Sequence, residues 1–250
     1  MPAVVGTAGW TIPREAAGAF PAEGASLERY AAVLGGAEIN SSFHRSHRLS
    51  TWRRWAESVP EDFRFSVKLP KTISHQRRLA GCDEELARFL GEAGELGGKL
   101  AILLLQLPPS FAFDAGLAED FLAGLAGRTD TAIACEPRHA SWFEPDADAL
   151  LARLHVARVA ADPARAPAAA APGGWDGLAY WRLHGSPVMY RSSYDSARLA
   201  GWAEAIAAAS TRGAEAWCIF DNTASSAAMG NALDLAARLA GPVGKAGGGL

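Results

Sequence analysis

The chain has 250 residues, 49% of them hydrophobic and 20% charged, with a formal net charge of -3. This composition excludes a disordered chain, and the charge gives no overall pull toward nucleic acid or an anionic membrane. No apolar run approaches the roughly 20 residues of a membrane span. The start, Met1-Pro2-Ala3-Val4-Val5-Gly6, lacks the basic and apolar stretches of a signal peptide, so a cytoplasmic protein without membrane partners is expected.

Strand and helix signals alternate along the chain. A strand is predicted over Ala3–Thr7, then a helix over Leu27–Leu34 with Ser26 as N-cap. The strand Ala37–Asn40 precedes a helix over Thr51–Ser58, capped by Ser50. Next come the strand Phe63–Leu69 and a helix over Asp83–Leu96, whose apolar residues Leu86, Phe89, Leu90 and Ala93 recur at helical spacing. Leu100–Leu107 and Thr131–Glu136 read as strands followed by helices over Ala115–Leu125 and Asp146–Leu154. The strand Ala157–Asp162 is followed by no clear helix, because Pro163, Pro167 and Pro172 break the period. The strands Ala179–His184 and Ala216–Asp221, with helices over Ser196–Ser210 and Ser225–Leu239, complete the pattern. Several strands are nearly continuous apolar runs, as when both faces are covered.

Eight strands with intervening helices in this length fit a TIM-like (β/α)8 barrel of α/β class, with an irregular sixth unit, better than an open doubly wound sheet. One domain over residues 1–240 is expected, with a flexible tail over 241–250. Cys82, Cys135 and Cys218 show no CxxC spacing, and Cys135 and Cys218, inside apolar runs, read as reduced core residues. Neither a dinucleotide fingerprint nor a G-x-S-x-G elbow occurs.

The strand ends carry the polar residues. Short runs stand out: Gly6-Thr7-Ala8-Gly9-Trp10, Glu38-Ile39-Asn40-Ser41-Ser42-Phe43, Phe63-Arg64-Phe65-Ser66-Val67-Lys68 and Leu105-Gln106-Leu107-Pro108-Pro109-Ser110-Phe111. Further along are Glu136-Pro137-Arg138-His139-Ala140-Ser141-Trp142, Arg182-Leu183-His184-Gly185 and Phe220-Asp221-Asn222. In this order, spanning nearly the whole chain, they resemble the YecE-like family, domain of unknown function seventy-two. The resemblance implies a TIM-like barrel, a bacterial cytosolic protein and a relation to sugar isomerases; it assigns no activity. The family usually has Tyr where this chain has His44, Phe where it has Pro137, and Asn where it has Asp221.

Strand alternation puts Glu38 with Asn40, Ser66 with Lys68, and Arg182 with His184 on shared faces. With Ile39, Val67 and Leu183 toward the helices, these polar residues point into the barrel mouth, joined by Gln106, Glu136, Asp162 and Asp221. Acid–base chemistry on a small polar, sugar-like or anionic substrate follows, by an isomerase-like or hydrolytic enzyme. Glu136 is the first candidate base, Glu38 the second, and His184 a proton relay. Lys68, Arg138 and Arg182 can bind an anion or stabilise developing negative charge, while Asn40, Gln106 and Asn222 can orient substrate. Trp10, Phe43, Trp142 and Tyr190 can supply apolar faces. Five alternatives stand beside this reading, the first a non-catalytic small-ligand binding protein. The charges can form a purely structural ion-pair network. Glu136, Asp162, His184 and Asp221 can ligate a divalent metal, although no cofactor is required. Glu38 and Glu136 can act as a glycosidase pair. Finally, His44, Arg45, His47, Arg48, Arg53 and Arg54, with Lys71, His75, Arg77 and Arg78, can line a nucleic-acid groove, a partner the acidic net charge does not favour.

Overall fold

The computed structural model describes residues 3–241. Its strands are β1 (Val4–Ala8), β2 (Gly36–Ile39), β3 (Arg64–Lys68), β4 (Leu100–Gln106), β5 (Ala132–Glu136), β6 (Val156–Arg158), β7 (Ala160–Asp162), β8 (Gly173–Gly174), β9 (Leu178–Leu183) and β10 (Glu215–Phe220). The α-helices are α1 (Ser26–Ala31), α2 (Leu49–Glu57), α3 (Asp83–Ala93), α4 (Ala115–Ala126), α5 (Pro145–Arg153), α6 (Ser196–Thr211) and α7 (Ala227–Leu239). The expected tail lies, from residue 242 on, outside the described residues.

The strand order is β7-β9-β10-β1-β2-β3-β4-β5-β6-β8. Only Val159 separates β6 from β7, so one extended segment stands near both ends of this order. Its first half pairs in parallel with β5 (Ile133 opposite Val156) and its second half with β9 (Ala160 opposite Trp181). That segment closes the ring, and the expected (β/α)8 barrel is the architecture found. As the prolines predict, the sixth unit has no α-helix: a single 3-10 turn, Pro167–Ala170, follows β7, and β8 folds back antiparallel on β6. A cavity of about 610 Å³ borders α6 beside this unit, lined by Trp175, Trp181, Trp202 and Arg212.

Helix ends follow local chemistry. Asp114 and Asp195 cap α4 and α6 by accepting from the Leu117 and Arg198 amides, at 3.0 and 2.8 Å. Asp83, Glu84 and Glu85 fill the first turn of α3, where the helix dipole favours negative charge. The expected serine caps differ: Ala25, Arg48 and Ser226 occupy the N-cap positions of α1, α2 and α7, and no cap is made by their side chains. In α1, Glu28 instead reaches back to the Ala25 amide at 2.8 Å.

Two cores follow from the strand alternation. Outside the barrel wall, Ile39, Val67, Leu103, Leu183 and Phe220 pack with helix residues such as Trp52, Leu122 and Leu235. Inside it, Ile102, Leu104, Ala134, Leu178, Tyr180, Trp217 and Ile219 fill the lumen. Tyr180 and Trp217 stack with ring centroids 6.1 Å apart. Gly36 makes room for them: a Cβ there would meet a Val4 methyl at 2.5 Å and the Trp217 ring at 3.3 Å. This apolar plug seals the barrel below the strand C-termini, so the polar ends of the same strands form the floor of the mouth. Cys82, Cys135 and Cys218 are buried and unpaired, and burial pushes all three thiols up, which makes them poor nucleophiles. Among the described residues, no helix is long and apolar enough to cross a membrane.

Candidate active site at the barrel mouth

The site is built in tiers. At its base the guanidinium of Arg182, 1% exposed, holds three carboxylates. Its Nη2 lies 2.7 Å from Glu38 Oε1 and 2.9 Å from Asp221 Oδ2, and its Nη1 lies 2.9 Å from Glu136 Oε2. Asn40 Oδ1 is a looser partner at 3.4 Å. The Tyr180 hydroxyl donates to Glu38 Oε2 at 2.9 Å and sits 3.0 Å from Ser66 Oγ. Residues from β2, β5 and the end of β10 thus meet on one cation from β9, a convergence the parallel strands enforce.

Above this base, Arg138 meets Glu136 Oε1 through Nη2 (2.6 Å) and Nε (2.8 Å). His184 links the tiers: Nδ1 lies 3.1 Å from Asp221 Oδ2, and Nε2 lies 3.0 Å from Glu136 Oε1 and 3.1 Å from Arg138 Nη2. An ionised Asp221 can only accept, so the Nδ1 proton belongs to His184. Nε2 then has two states, accepting from Arg138 in neutral imidazole or donating to Glu136 in imidazolium.

Electrostatics separate the carboxylates from the lysine. Burial alone would raise the Glu136 carboxyl, but Arg138, Arg182 and His184 outweigh it and hold it well below the usual range. Asp221 is likewise lowered, with Arg182 and His184 overcoming its burial. Burial works against the Arg182 charge, yet Asp221, Glu38 and Glu136 raise its pKa well above the usual value. Lys68 differs: burial first, then the Arg182 charge, lower it to about 8 against the opposing pull of Glu136, Glu38 and Asp221. Among the described residues its ammonium makes no salt bridge and no side-chain hydrogen bond; it is 8% exposed and sits 4.1 Å from the centroid of the Phe43 ring. His75 packs on the same ring at 5.0 Å, its Nδ1 2.9 Å from Ser74 Oγ. Burial, Lys68 and Arg138 lower the His75 pKa. Tyr190, 40% exposed and with positive φ, stands over His184 at a ring distance of 5.7 Å.

Glu38, Asn40, Lys68, Glu136, Arg138, Arg182, His184 and Asp221 therefore converge as strand alternation predicts. Gln106 sits beside them, opposite Glu136 in the β4–β5 register, and Tyr190 covers the rim. Three candidates fall elsewhere. Trp142 is fully buried outside the barrel wall, its Nε1 donating to the Phe111 carbonyl at 3.0 Å and its ring packed on Phe113, so it offers no face to a substrate. Asn222 follows Asp221 and so points the other way; its Nδ2 donates to the Ser192 carbonyl and Asn231 Oδ1, both at 2.9 Å. Asp162 turns outward to the Tyr194 hydroxyl (2.9 Å) and Arg198.

The alternatives meet physical obstacles. Asp162 leaves the metal set, and Arg138 and Arg182 occupy the oxygens of Glu136 and Asp221; no grouping of three or more acidic, His or Cys side chains with metal-holding geometry exists among the described residues. For the glycosidase pair, the Arg182 guanidinium fills the space between Glu38 and Glu136 where a glycosidic bond would lie. In the basic region, Arg53 pairs with Glu95, Arg77 with Glu85 (2.7 Å), and Ser46 and His47 turn to Glu92.

Two further members stand at the mouth: Tyr180, and His75, which the sequence places in the basic groove. Tyr180 is two residues before Arg182, so the period of two that selects Arg182 and His184 also selects it. His75 lies on a five-residue π-helical turn, Thr72–Gln76, which has no such period.

The whole chain has relatives of the same shape. A DUF72 family protein from Enterococcus faecalis V583 superposes with a TM-score of 0.79 at 22% identity, covering 95% of each chain. One from Thermotoga maritima MSB8 gives 0.79 at 23% identity, covering 96% of this chain and 100% of the other. A xylose isomerase-like TIM barrel/4-hydroxyphenylpyruvate dioxygenase fusion protein shares the fold at a TM-score of 0.51 and 15% identity, over 85% of this chain and 39% of that protein. In sequence, the chain is 34% identical to the UPF0759 protein YecE of Escherichia coli K12 over 119 residues, which is 47% of this chain and under half, 43%, of that relative. The family model described as "Protein of unknown function DUF72" matches residues 4–246, and the chain belongs to that family.

Proposed function

We propose that the mouth of this barrel is the active site of an enzyme that performs acid–base chemistry on a small, anionic, oxygen-rich substrate. The observation that carries this reading is Lys68, a buried ammonium at a barrel-strand end with no carboxylate of its own. A buried charge without a partner is costly, so its retention points to an anion arriving from outside. Arg138, about as buried, stands on the neighbouring wall as a second cation.

The roles differ from those expected. Glu136 and Glu38 are already committed to arginines, and Glu136 is a weak base because its pKa is depressed. They hold Arg182 and Arg138 in place. Lys68, brought down to about 8, is the proton-transfer group of this reading, with His75, whose pKa burial lowers, beside it. Tyr190 and Phe43 bound the substrate. Three free thiols suit a reducing cytoplasm.

A thermal-shift panel of sugar phosphates, sugar acids and small dicarboxylates tests the proposal on wild type and Lys68→Met. At least one anion should raise the wild-type melting temperature and leave the variant unmoved. Equal shifts in both, or none in either across the panel, would contradict it. A salt-sensitive affinity for single-stranded DNA, lost in an Arg45→Ala, Arg48→Ala double variant, would favour the nucleic-acid reading instead.

A further inference from the structure

We propose that Lys68 captures carbonyl compounds, forming a Schiff base with a small aldehyde or ketone whose carboxylate or phosphate is held by Arg138. This rests on the anion-binding reading of the mouth and names its substrate class and first covalent step.

The lysine itself is the first observation. The chain has 24 basic residues, and four are lysines: Lys68, Lys71, Lys99 and Lys245. Lys99 has a structural task, donating to the carbonyls of Ala56 and Val59 at 2.6 and 2.7 Å. Lys68 has no such partner among the described residues, although it is nearly buried. An arginine would supply the same charge, but a guanidinium stays protonated and cannot act as a nucleophile. An amine can, once desolvated among other cations.

Its surroundings favour the neutral amine. The charged and titratable groups around the mouth are Glu38 on β2, Glu136 and Arg138 from the β5 end, Arg182 and His184 from β9, Asp221 after β10, and His75. The carboxylates are bound to Arg182 or Arg138, which leaves Lys68 against the face of Phe43. Burial and the Arg182 charge bring its pKa to about 8. At pH 7 about one amine in ten is then neutral, against fewer than one in a thousand for an ordinary lysine.

The step balances without oxidant or reductant. Neutral Nζ attacks the carbonyl carbon, and the C=O π pair moves to oxygen. The carbinolamine loses that oxygen as water while the N=C double bond forms, and both hydrogens of the water come from the amine. His75, packed on the same Phe43 ring, is the group that carries a proton from nitrogen to oxygen.

The test treats the full chain with pyruvate, or with dihydroxyacetone phosphate, in the presence of cyanoborohydride, which reduces an imine to a stable secondary amine. Peptide mapping by mass spectrometry then locates the adduct. With at least one probe, Lys68 should be modified at least tenfold faster than Lys71, Lys99 or Lys245, and Lys68→Arg should abolish the selective adduct. Arg138→Met, which keeps the amine, should slow capture at least tenfold. Adducts spread evenly over the four lysines, or none at Lys68 with either probe, would overturn the proposal, and this reading of the wild-type map stands even if a variant fails to fold. An anion that raises the wild-type melting temperature without any Lys68 adduct overturns carbonyl capture and leaves the anion-binding reading intact.

Discussion

Arg182 is the residue on which the mouth depends. It is 1% exposed and faces Glu38, Glu136 and Asp221 at 2.7 to 2.9 Å. Removing one partner of a buried ion pair strands the others without water, at a cost of about 3–5 kcal/mol. Arg182→Met should therefore lose that much stability in urea unfolding. A loss under about 1 kcal/mol would mean that water readily enters the mouth to solvate the carboxylates. The conservative Arg182→Lys should recover little, because an ammonium cannot present the planar fork that serves three carboxylates. At this scale the sequence was informative about direction and silent about pairing. Alternation placed Glu38, Lys68, Glu136, Arg182 and His184 on the lumen face. Which acid meets which base is a long-range fact, since Glu38 and Arg182 are 144 residues apart. Glu136 therefore read as a free base, when two arginines hold it. Trp142 read as a possible sugar platform because it follows the Glu136 strand, but the turn after His139 carries it outside the wall.

At the scale of elements, the sixth unit is the exception that the rest of the barrel accommodates. Arg158 does the work a helix does elsewhere. Buried on the outer face, it bonds Asp148 Oδ1 at 2.7 Å and the carbonyls of Ala168 and Ala171 at 2.8 and 3.3 Å. It thereby fixes the 3-10 turn and β8 against α5. Gly173 leaves room for this pair, because a Cβ would stand 2.1 Å from Arg158 Nη2 and 2.7 Å from Asp148 Oδ1 and would displace them. Arg158→Ala leaves those carbonyls without their donor and Asp148 Oδ1 with the Gly174 amide alone, at about 1–3 kcal/mol. Hydrogen exchange should quicken in residues 163–174 while β1–β5 stay protected. Unchanged protection in 163–174 would show that the turn holds itself. The missing helix was legible from the prolines after Asp162. The division of one strand between two neighbours was not, because pairing partners leave no mark on a six-residue strand.

For the whole molecule, pH dependence follows from the buried charges. Glu136 and Asp221 have folded pKa values below their unfolded ones. Their stabilisation is present above the unfolded values and is lost as pH falls through the folded ones. The melting temperature should decline only slightly from pH 7 to about 5, where the lowered His75 contributes, and fall steeply below about 4. A decline already complete by about pH 5 would assign the transition to histidines instead. Lys68 acts on the alkaline side with the opposite sense. Its folded pKa of about 8 lies below the ordinary 10.5, so between those values the unfolded chain binds more protons and stability contributed by this group rises with pH. The barrel and its polar mouth could be read from alternation and spacing; this depressed amine could not, because it arises from burial beside Arg182 and the diversion of every nearby carboxylate to an arginine.

The proposed chemistry of the mouth thus turns on Lys68 as a lysine poised to lose its proton near neutrality. Its most direct test is an NMR pH titration of the lysine 13Cε resonances in protein grown with labelled lysine. With four lysines in the chain the spectrum is sparse, and Lys68→Arg identifies the signal. The midpoint should lie near 8, well apart from the other lysines. A midpoint at the ordinary lysine value of 10.5 would contradict this role, because the amine would then be a solvated cation like any other.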